Sequence, residues 1–379
     1  MNRPAHILLL IGQLTSGGTE RQLINLARAV DPQRYRVSVG VLSQQLDLAD
    51  ELQQAGIVVH SLGGLGFYPW HTLPQWVARV AALIRREQPA LLMTYLYPAN
   101  VIGTLAAAIC RVPAIISERT ADPVLPLQQR LAYTLITRLC HVVMVNSYAA
   151  RATMQQQLRL PAGRLVVQPN GIDLAVLDRP VVAGAWRTMH GVAADELLIG
   201  AIGRIDRLKQ YELLLQIAAA CRDEGMAARF VIAGGVGTGG DHAYHDELRE
   251  QHRLLRLDRQ LLFAGPQPQI AAVLDAIDLF VQTSKQEGTP NALLEALAYG
   301  VPALVTDVGD MRRIVEQGAC GMALPPDPQV WRQQMQALLA DPRRRAALGA
   351  NGRLYVRGNY ALEHLAHATQ ALWDHVIGR

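Results

Sequence analysis

Short, largely apolar runs alternate along this chain with longer segments whose apolar positions recur every three or four residues. The first kind predicts strands and the second amphipathic helices. In the first half the strand-like runs are "HILLLIG" (6–12), "RVSVGVL" (36–42), "IVVH" (57–60), "ALLMTY" (90–95), "AIIS" (114–117), "VVMVN" (142–146) and "LVVQ" (165–168). The second half repeats the theme with "LLIGAIG" (197–203), "RFVIAG" (229–234), "LLFAG" (261–265), "DLFVQ" (278–282), "PALVT" (302–306) and "GMAL" (321–324). Between them lie helical patterns such as "TERQLINLARAV", which places Leu23, Leu26, Ala27 and Val30 on one face. Strands apolar on both sides and separated by helices predict parallel sheets covered on both faces. The chain ends in two helical segments, about 342–356 and 361–377.

With 379 residues the chain is long for one core and comfortable for two. The turn Pro169-Asn170-Gly171, followed by the proline-containing stretch to Gly184, reads as the junction. Two parallel α/β domains meeting there would form a cleft. Ligands of such sheets bind outside the carboxyl ends of the strands.

Two stretches could be misread as membrane or export signals. Gln88 to Cys110 carries no charge and is long enough to cross a bilayer. Pro98 splits it, however, into a strand-like half and a helix opening on proline. The N-terminal "MNRPAHILLLIGQ" lacks a small-residue cleavage site and reads as a first buried strand.

Composition changes this picture in one respect. The net charge of +4 is uneven: residues 1–170 hold 15 arginines and no lysine against 8 acidic residues, a balance of +7. That suits either a solvated surface or an anionic partner, whether a membrane leaflet, a phosphorylated lipid or nucleic acid. No basic run is long enough to favour nucleic acid, and aromatics at 5% do not supply a base-stacking surface. Cys110, Cys140, Cys221 and Cys320 are widely spaced and form no C-x-x-C, which fits a reducing compartment.

Unusual residues gather after strand ends. After the first strand, "GQLTSGGTERQ" offers Gly17 and Gly18 for close backbone approach, with Thr19 as a candidate helix cap at an anion-favouring N-terminus. After the first strand of the second half, "GRIDRLKQ" supplies Arg204 and Lys209, the latter one of only two lysines in the chain. The glycine-rich "IAGGVGTGGD" has no following Lys-Ser or Lys-Thr, so it is not a Walker loop. It either admits a nucleotide close to its backbone or is a flexible loop. His242 and His245 read as surface residues of a polar helix.

The segment "EGTPNALLE" is the most informative. Thr289 and Pro290 predict the cap and first position of a helix running Asn291 to Tyr299 and stopping at Gly300. Glu287 then hangs in the loop before an anion-favouring helix start. Glu295 is the only charge from Gly288 to Thr306 and is expected to be buried in a helix apolar nearly all round. A buried carboxylate needs donors. Neighbouring protein groups could supply them, and so could paired hydroxyls of a ligand. Carboxylate, anion site, carboxylate is an order that suits sugar, diphosphate, ribose. No D-x-D and no H-E-x-x-H occurs.

Together, "SGGTER", "NGID", "GRIDRLKQ" and the block from "FAGPQPQ" through "EGTPNALLEALAYGVPALVTDVGD" resemble the retaining glycosyltransferases of family 4, over nearly the whole chain. The resemblance implies the GT-B fold, two Rossmann-like parallel-sheet domains facing across a cleft. It places an acceptor-binding domain at 1–170, completed by the C-terminal helix 357–379, and a nucleotide-sugar domain at 171–356. It implies that Gly17 and Gly18 line the donor phosphates and sugar, that Arg204 and Lys209 bind the diphosphate, that Glu287 receives sugar hydroxyls and that Glu295 receives ribose hydroxyls. Gly203, Gly235, Gly265, Gly288, Thr289, Pro290 and Asn291 complete the expected donor site. No metal or other cofactor is implied. Where many relatives place a histidine, this chain has "SERTADP", leaving Glu118 and Arg119 as the acceptor-side candidates.

The expected function is sugar transfer from a nucleotide-diphosphate donor, UDP by default, to an acceptor hydroxyl. The expected acceptor is a glycan or polyprenyl-pyrophosphate-linked saccharide in cell-surface polysaccharide assembly, met in the cytoplasm or at the inner membrane face. A nucleotide-sugar epimerase of the same architecture and a non-catalytic nucleotide-sugar binder are the alternatives.

Overall fold

The computed structural model describes residues 3–15, 17–64, 70–119, 124–237 and 240–379. Thr120 to Pro123 of "SERTADP", Ser16 of "SGGTER", and Thr238 and Gly239 of the glycine-rich stretch lie outside the described residues. The chain divides into two compact units, Met1–Gly171 with Leu362–Arg379, and Ile172–Ala361.

The first unit holds seven strands: β1 (Ala5–Ile11), β2 (Tyr35–Ser43), β3 (Val58–Gly64), β4 (Leu91–Tyr95), β5 (Ala114–Glu118), β6 (Val142–Val145) and β7 (Leu165–Val167). They form one sheet in the order β3-β2-β1-β4-β5-β6-β7, and every pairing is parallel. Side chains alternate along β1: Ile7, Leu9 and Ile11 enter one core, Leu8 and Leu10 the other. That division is why Ile7 to Ile11 is apolar without interruption. The helix Gly18–Ala29 covers the first face through Leu23, Leu26 and Ala27, as its periodicity predicts. The C-terminal helix Leu362–Ile377 lies on the same face, with Leu365, Ala366 and Trp373 in that core. Trp373 meets the Tyr35 ring edge-on at 5.2 Å.

The uncharged stretch from Gln88 resolves into β4 and the helix Tyr97–Cys110, with proline in its first turn. Among the described residues no helix is long and apolar enough to cross a membrane.

The second unit holds six strands: β8 (Leu197–Ile202), β9 (Ala228–Ala233), β10 (Leu261–Gly265), β11 (Leu279–Gln282), β12 (Ala303–Thr306) and β13 (Gly321–Leu324). Their order is β10-β9-β8-β11-β12-β13, again all parallel. The order reverses direction at β8, which has β9 on one side and β11 on the other. Loops leaving β8 and β11 therefore diverge to opposite faces, and a crevice opens at their carboxyl ends.

Candidate functional site

Lys209 and Glu287 are 78 residues apart in sequence and meet at that reversal point, with Nζ 2.6 Å from Oε1. Each is placed by its own element. After β8 the chain turns at Gly203 and enters a single 3-10 turn, Arg207–Lys209. Asp206 caps it by accepting from the backbone N–H of Leu208 and Lys209. Gln210 then takes a left-handed conformation (φ 50°), and the helix Tyr211–Asp223 begins. The Thr283 hydroxyl donates to the Lys209 carbonyl at 3.0 Å, and the Lys285 N–H donates to the Leu208 carbonyl at 2.8 Å. These bonds stitch the turn to the segment that follows β11.

Three donors converge on one oxygen of Glu287. Gln282 Nε2 and Ser284 Oγ each lie 2.7 Å from Oε1, beside the Lys209 ammonium. The side chains of Glu287 and Lys209 keep only 13% and 19% of their surface exposed. Oε2 accepts no hydrogen bond from the described residues. The carboxylate is thus anchored through one oxygen and presents the other, which can accept from a ligand hydroxyl.

Below the loop, the Asp310 N–H donates to the Gly288 carbonyl at 3.1 Å. Gly309 sits directly beneath, at φ 59°, and a Cβ there would stand 2.2 Å from the Glu287 carbonyl oxygen. The Thr306 hydroxyl donates to the Ser284 carbonyl at 2.6 Å. The chain after β12 is therefore the floor on which the Glu287 loop rests.

The helix after the loop runs Asn291–Tyr299 and ends at Gly300 (φ 103°), as expected. Its start differs from expectation. Pro290 is the N-cap, not the first helical residue, and no side chain caps it. A residue before proline is disfavoured in the helical region, which holds Thr289 outside the helix. Thr289 is instead buried. Glu295 differs too: it is half-buried, not sealed in the core. The helix packs Leu293, Leu294, Ala296, Leu297 and Ala298 inward. Asn291, Ala292, Glu295 and Tyr299 share the remaining stripe, which is only partly covered. Leucine-rich composition hides that stripe because alanine and tyrosine read as apolar. With Asn291 as the first helical residue, Glu295 stands about 6 Å further along the axis.

Backbone bonds close the opposite side. The N–H of Gly203 donates to Ala233, that of Gly234 to Gly265 and that of Ile205 to Gly235, at 3.0, 2.8 and 2.8 Å. The ends of β8, β9 and β10 are thereby sewn into one rim bearing Gly203, Gly235 and Gly265. The Arg204 side chain is half exposed, with Nε 3.1 Å from Asp206 Oδ2. One residue holds the turn and the glycine-rich segment together: Arg207 donates to Asp241 and, through both terminal nitrogens, to Glu247.

In the first unit the helix after β1 begins at Gly18, with Gly17 as its N-cap, so Thr19 lies in the first turn and does not cap. Glu20 folds back over Gly17: a Cβ on Gly17 would lie 2.1 Å from Glu20 Oε2. A carboxylate in this position is favoured by the positive helix end.

Glu118 and Arg119, at the end of β5, are both buried. Glu118 accepts from the Tyr133 hydroxyl, from Asn100 Nδ2 at 3.3 Å and from the Arg119 N–H at 3.0 Å. Burial and the Glu118 charge push the Tyr133 phenol well above its ordinary range. The Arg119 guanidinium reaches Ser117 Oγ at 2.9 Å and Asn170 Oδ1 at 3.1 Å. Tyr133→Phe removes one donor to a buried carboxylate and should cost about 1–2 kcal/mol. Melting of the variant in urea checks this, and an unchanged midpoint would refute the role given to that hydroxyl.

Sequence reasoning missed Gln282, Ser284, Gly309, Asp206 and Glu20. The first two carried a faint signal, as polar residues directly closing an apolar strand in "FVQTS". Among the described residues no group of histidine, cysteine and acidic side chains could hold a metal ion.

A parallel-sheet unit with a cation and carboxylate paired at its reversal point, following a seven-stranded unit of the same construction, defines a two-domain Rossmann-like protein of the GT-B class. Residues 16–176 match the model of Glycosyltransferase Family 4 and residues 184–355 that of Glycosyl transferases group 1. The chain belongs to the family 4 glycosyltransferases. It is 27% identical to the putative glycosyltransferase EpsF of Bacillus subtilis over 79% of each chain. It is 30% identical to the lipopolysaccharide core biosynthesis mannosyltransferase LpsB of Rhizobium meliloti over 55% of this chain, a match spanning 60% of LpsB's own length. Among solved structures, Anabaena Alr3699/HepE in complex with UDP superposes with a TM-score of 0.86 at 22% identity, covering 98% of this chain and 100% of HepE. HepE has also been solved with UDP-glucose.

Proposed function

We propose that the protein transfers a sugar from a UDP-sugar to an acceptor hydroxyl with retention at the anomeric carbon. The observation that carries this reading is the Glu287 carboxylate, held by three donors on Oε1 and by no described donor on Oε2, beside Lys209 and the start of the Asn291 helix. Glu287 Oε2 accepts from a donor-sugar hydroxyl. Lys209 and Arg204 take the diphosphate, with the Gly288–Asn291 backbone, and Glu295 on its partly covered stripe takes the ribose hydroxyls. Gly203, Gly235 and Gly265 give the nucleotide close approach to the rim. Gly17 and Gly18 line the donor phosphates and sugar once the Glu20 carboxylate, which stands over Gly17, has moved aside.

In the reaction the bond from the anomeric carbon to the diphosphate oxygen breaks and a bond to the acceptor oxygen forms on the same face. The acceptor proton passes to the departing phosphate oxygen. Positive charge at Lys209 and Arg204 stabilises that oxygen as its charge develops. Glu118 and Arg119 act on the acceptor side through the backbone they hold.

The UDP assignment draws support from HepE, solved with UDP and UDP-glucose. The acceptor reading is a lipid-linked saccharide in cell-surface polysaccharide assembly. It draws support from the printed role of LpsB and from the +7 balance of residues 1–170.

Thermal-shift titration against UDP-, GDP- and ADP-sugars tests the donor, with UDP-sugars expected to raise the melting temperature most. Acceptor-dependent release of UDP tests transfer. A melting temperature indifferent to every nucleotide sugar, or an epimer formed from donor alone, would overturn the proposal.

A further inference from the structure

The helix Leu127–Leu139 carries a feature that the donor site does not use. Leu127, Leu131, Leu135 and Leu139 follow one another at four-residue intervals along its outer side. Their exposures are 61%, 62%, 54% and 41%, in a chain whose other leucines are mostly buried. The strip is about 18 Å long. Tyr133 and Ile136, on the opposite side, hold the helix to its unit. A leucine line of this kind facing water marks an interaction surface.

The charges on the helix, and along the chain from its end to Ile172, have one sign. Arg130 and Arg138 are exposed on the same helix. At its C-terminal end a cavity of about 400 Å³ is lined by Arg138, Arg159 and Arg164, with Thr134 and Leu160. Arg164 is occupied in part, since it donates to the Cys140 carbonyl that closes the helix. Arg130, Arg138 and Arg159 form no salt bridge with any described residue. From Pro123 to Ile172 the sequence contains five arginines and no aspartate or glutamate.

We infer that the helix Leu127–Leu139 is a docking surface for an anionic lipid bilayer. The leucine strip lies in the headgroup region, and the arginine-lined cavity receives a lipid phosphate. Apolar residues on one side of a helix with flanking arginines is the pattern of a helix lying in a membrane interface. Unpaired arginines gain from anionic headgroups. A second copy of the chain fits worse, because two such helices would oppose arginine to arginine with no carboxylate on either helix. The inference deepens the lipid-linked acceptor reading, on which it rests for its purpose, and it stands on a separate part of the molecule from the donor site.

The test is co-sedimentation of the full chain with phosphatidylcholine vesicles, with and without about a third of phosphatidylglycerol. The wild type should bind the anionic vesicles at least about tenfold more tightly, and less so as salt rises. Leu131→Ser with Leu135→Ser should lower that binding at least about tenfold. Its melting temperature should stay unchanged, since both side chains are already in solvent. Arg138→Gln with Arg159→Gln should weaken binding and flatten its salt dependence, and it keeps the test standing if the leucine variant does not fold. Equal binding to both vesicle types, or leucine-variant binding equal to wild type, overturns the inference. So does light scattering that shows a wild-type dimer which the leucine variant converts to monomer. UDP-sugar titration without vesicles is read alongside: its failure would count against the donor reading and leave the vesicle result intact.

Discussion

Lys209→Met should lower kcat/KM for sugar transfer by about a hundredfold to a thousandfold while the fold persists. One fixed donor aimed at developing charge is commonly worth that much, and Lys209 brings a full charge to a position only 19% exposed. The substitution keeps the length of the stem and removes the ammonium. Glu287 then retains Gln282 and Ser284 as donors to Oε1 but loses its counter-charge. A stability loss of about 1–3 kcal/mol should accompany the loss of rate. Glu287→Gln should cut transfer comparably for a different reason, because Oε2 is then lost as the acceptor for the sugar. The two groups touch and serve one ligand, so the double variant should be much less impaired than the product of the two single effects. Steady-state UDP release, with circular dichroism to confirm folding, measures all three. Near-normal turnover in both single variants would sink the donor-site assignment.

Gly309→Val should abolish measurable transfer although residue 309 carries no polar side chain and is not proposed to touch the donor. The glycine holds φ at 59°, a region costly to any β-branched residue. Its Cβ would also lie 2.2 Å from the Glu287 carbonyl oxygen and 2.7 Å from that of Gly288. Both neighbours are backbone, so neither can swing aside as a side chain could. The loop must lift off its floor, and with it goes the Asp310 N–H bond to Gly288. A displacement of about 1 Å at a reacting centre can cost about a hundredfold. Donor affinity by calorimetry should fall together with rate, which separates loop displacement from a pure loss of charge stabilisation. A Gly309→Val protein with wild-type donor affinity would contradict the floor role.

Most of the fold is legible in the sequence, because a strand covered on both faces must be largely apolar. β1 shows this most plainly, with six of its seven residues divided between two cores. The pairing order follows less directly, since no single strand states its neighbours. The position of Glu287 was legible from its flanks, as a charge before a proline-marked helix start. Its anchors were not. Gln282 and Ser284 become donors to Oε1 only once β11 is set beside β8 and the loop folds back. Gly309 lies in an ordinary-looking "DVGD" turn and matters only because another loop rests on it. Glu295 reads as buried in the sequence for a compositional reason: one partly covered stripe on a leucine-rich helix leaves almost no trace in its mean character.

Gln22 grips both polar groups of one residue. Its amide nitrogen donates to the Gly171 carbonyl and its amide oxygen accepts from the Gly171 N–H, each at 2.8 Å. Gly171 is the last residue of the first unit before the chain passes into the second, and Gln22 sits in the second turn of the helix that Gly17 and Gly18 open. In mechanical terms the helix and the exit of the chain are one part fastened at two points. A load placed on the glycine turn is delivered to Gly171, and Arg119, just after β5, braces the same exit through its bond to Asn170 next door.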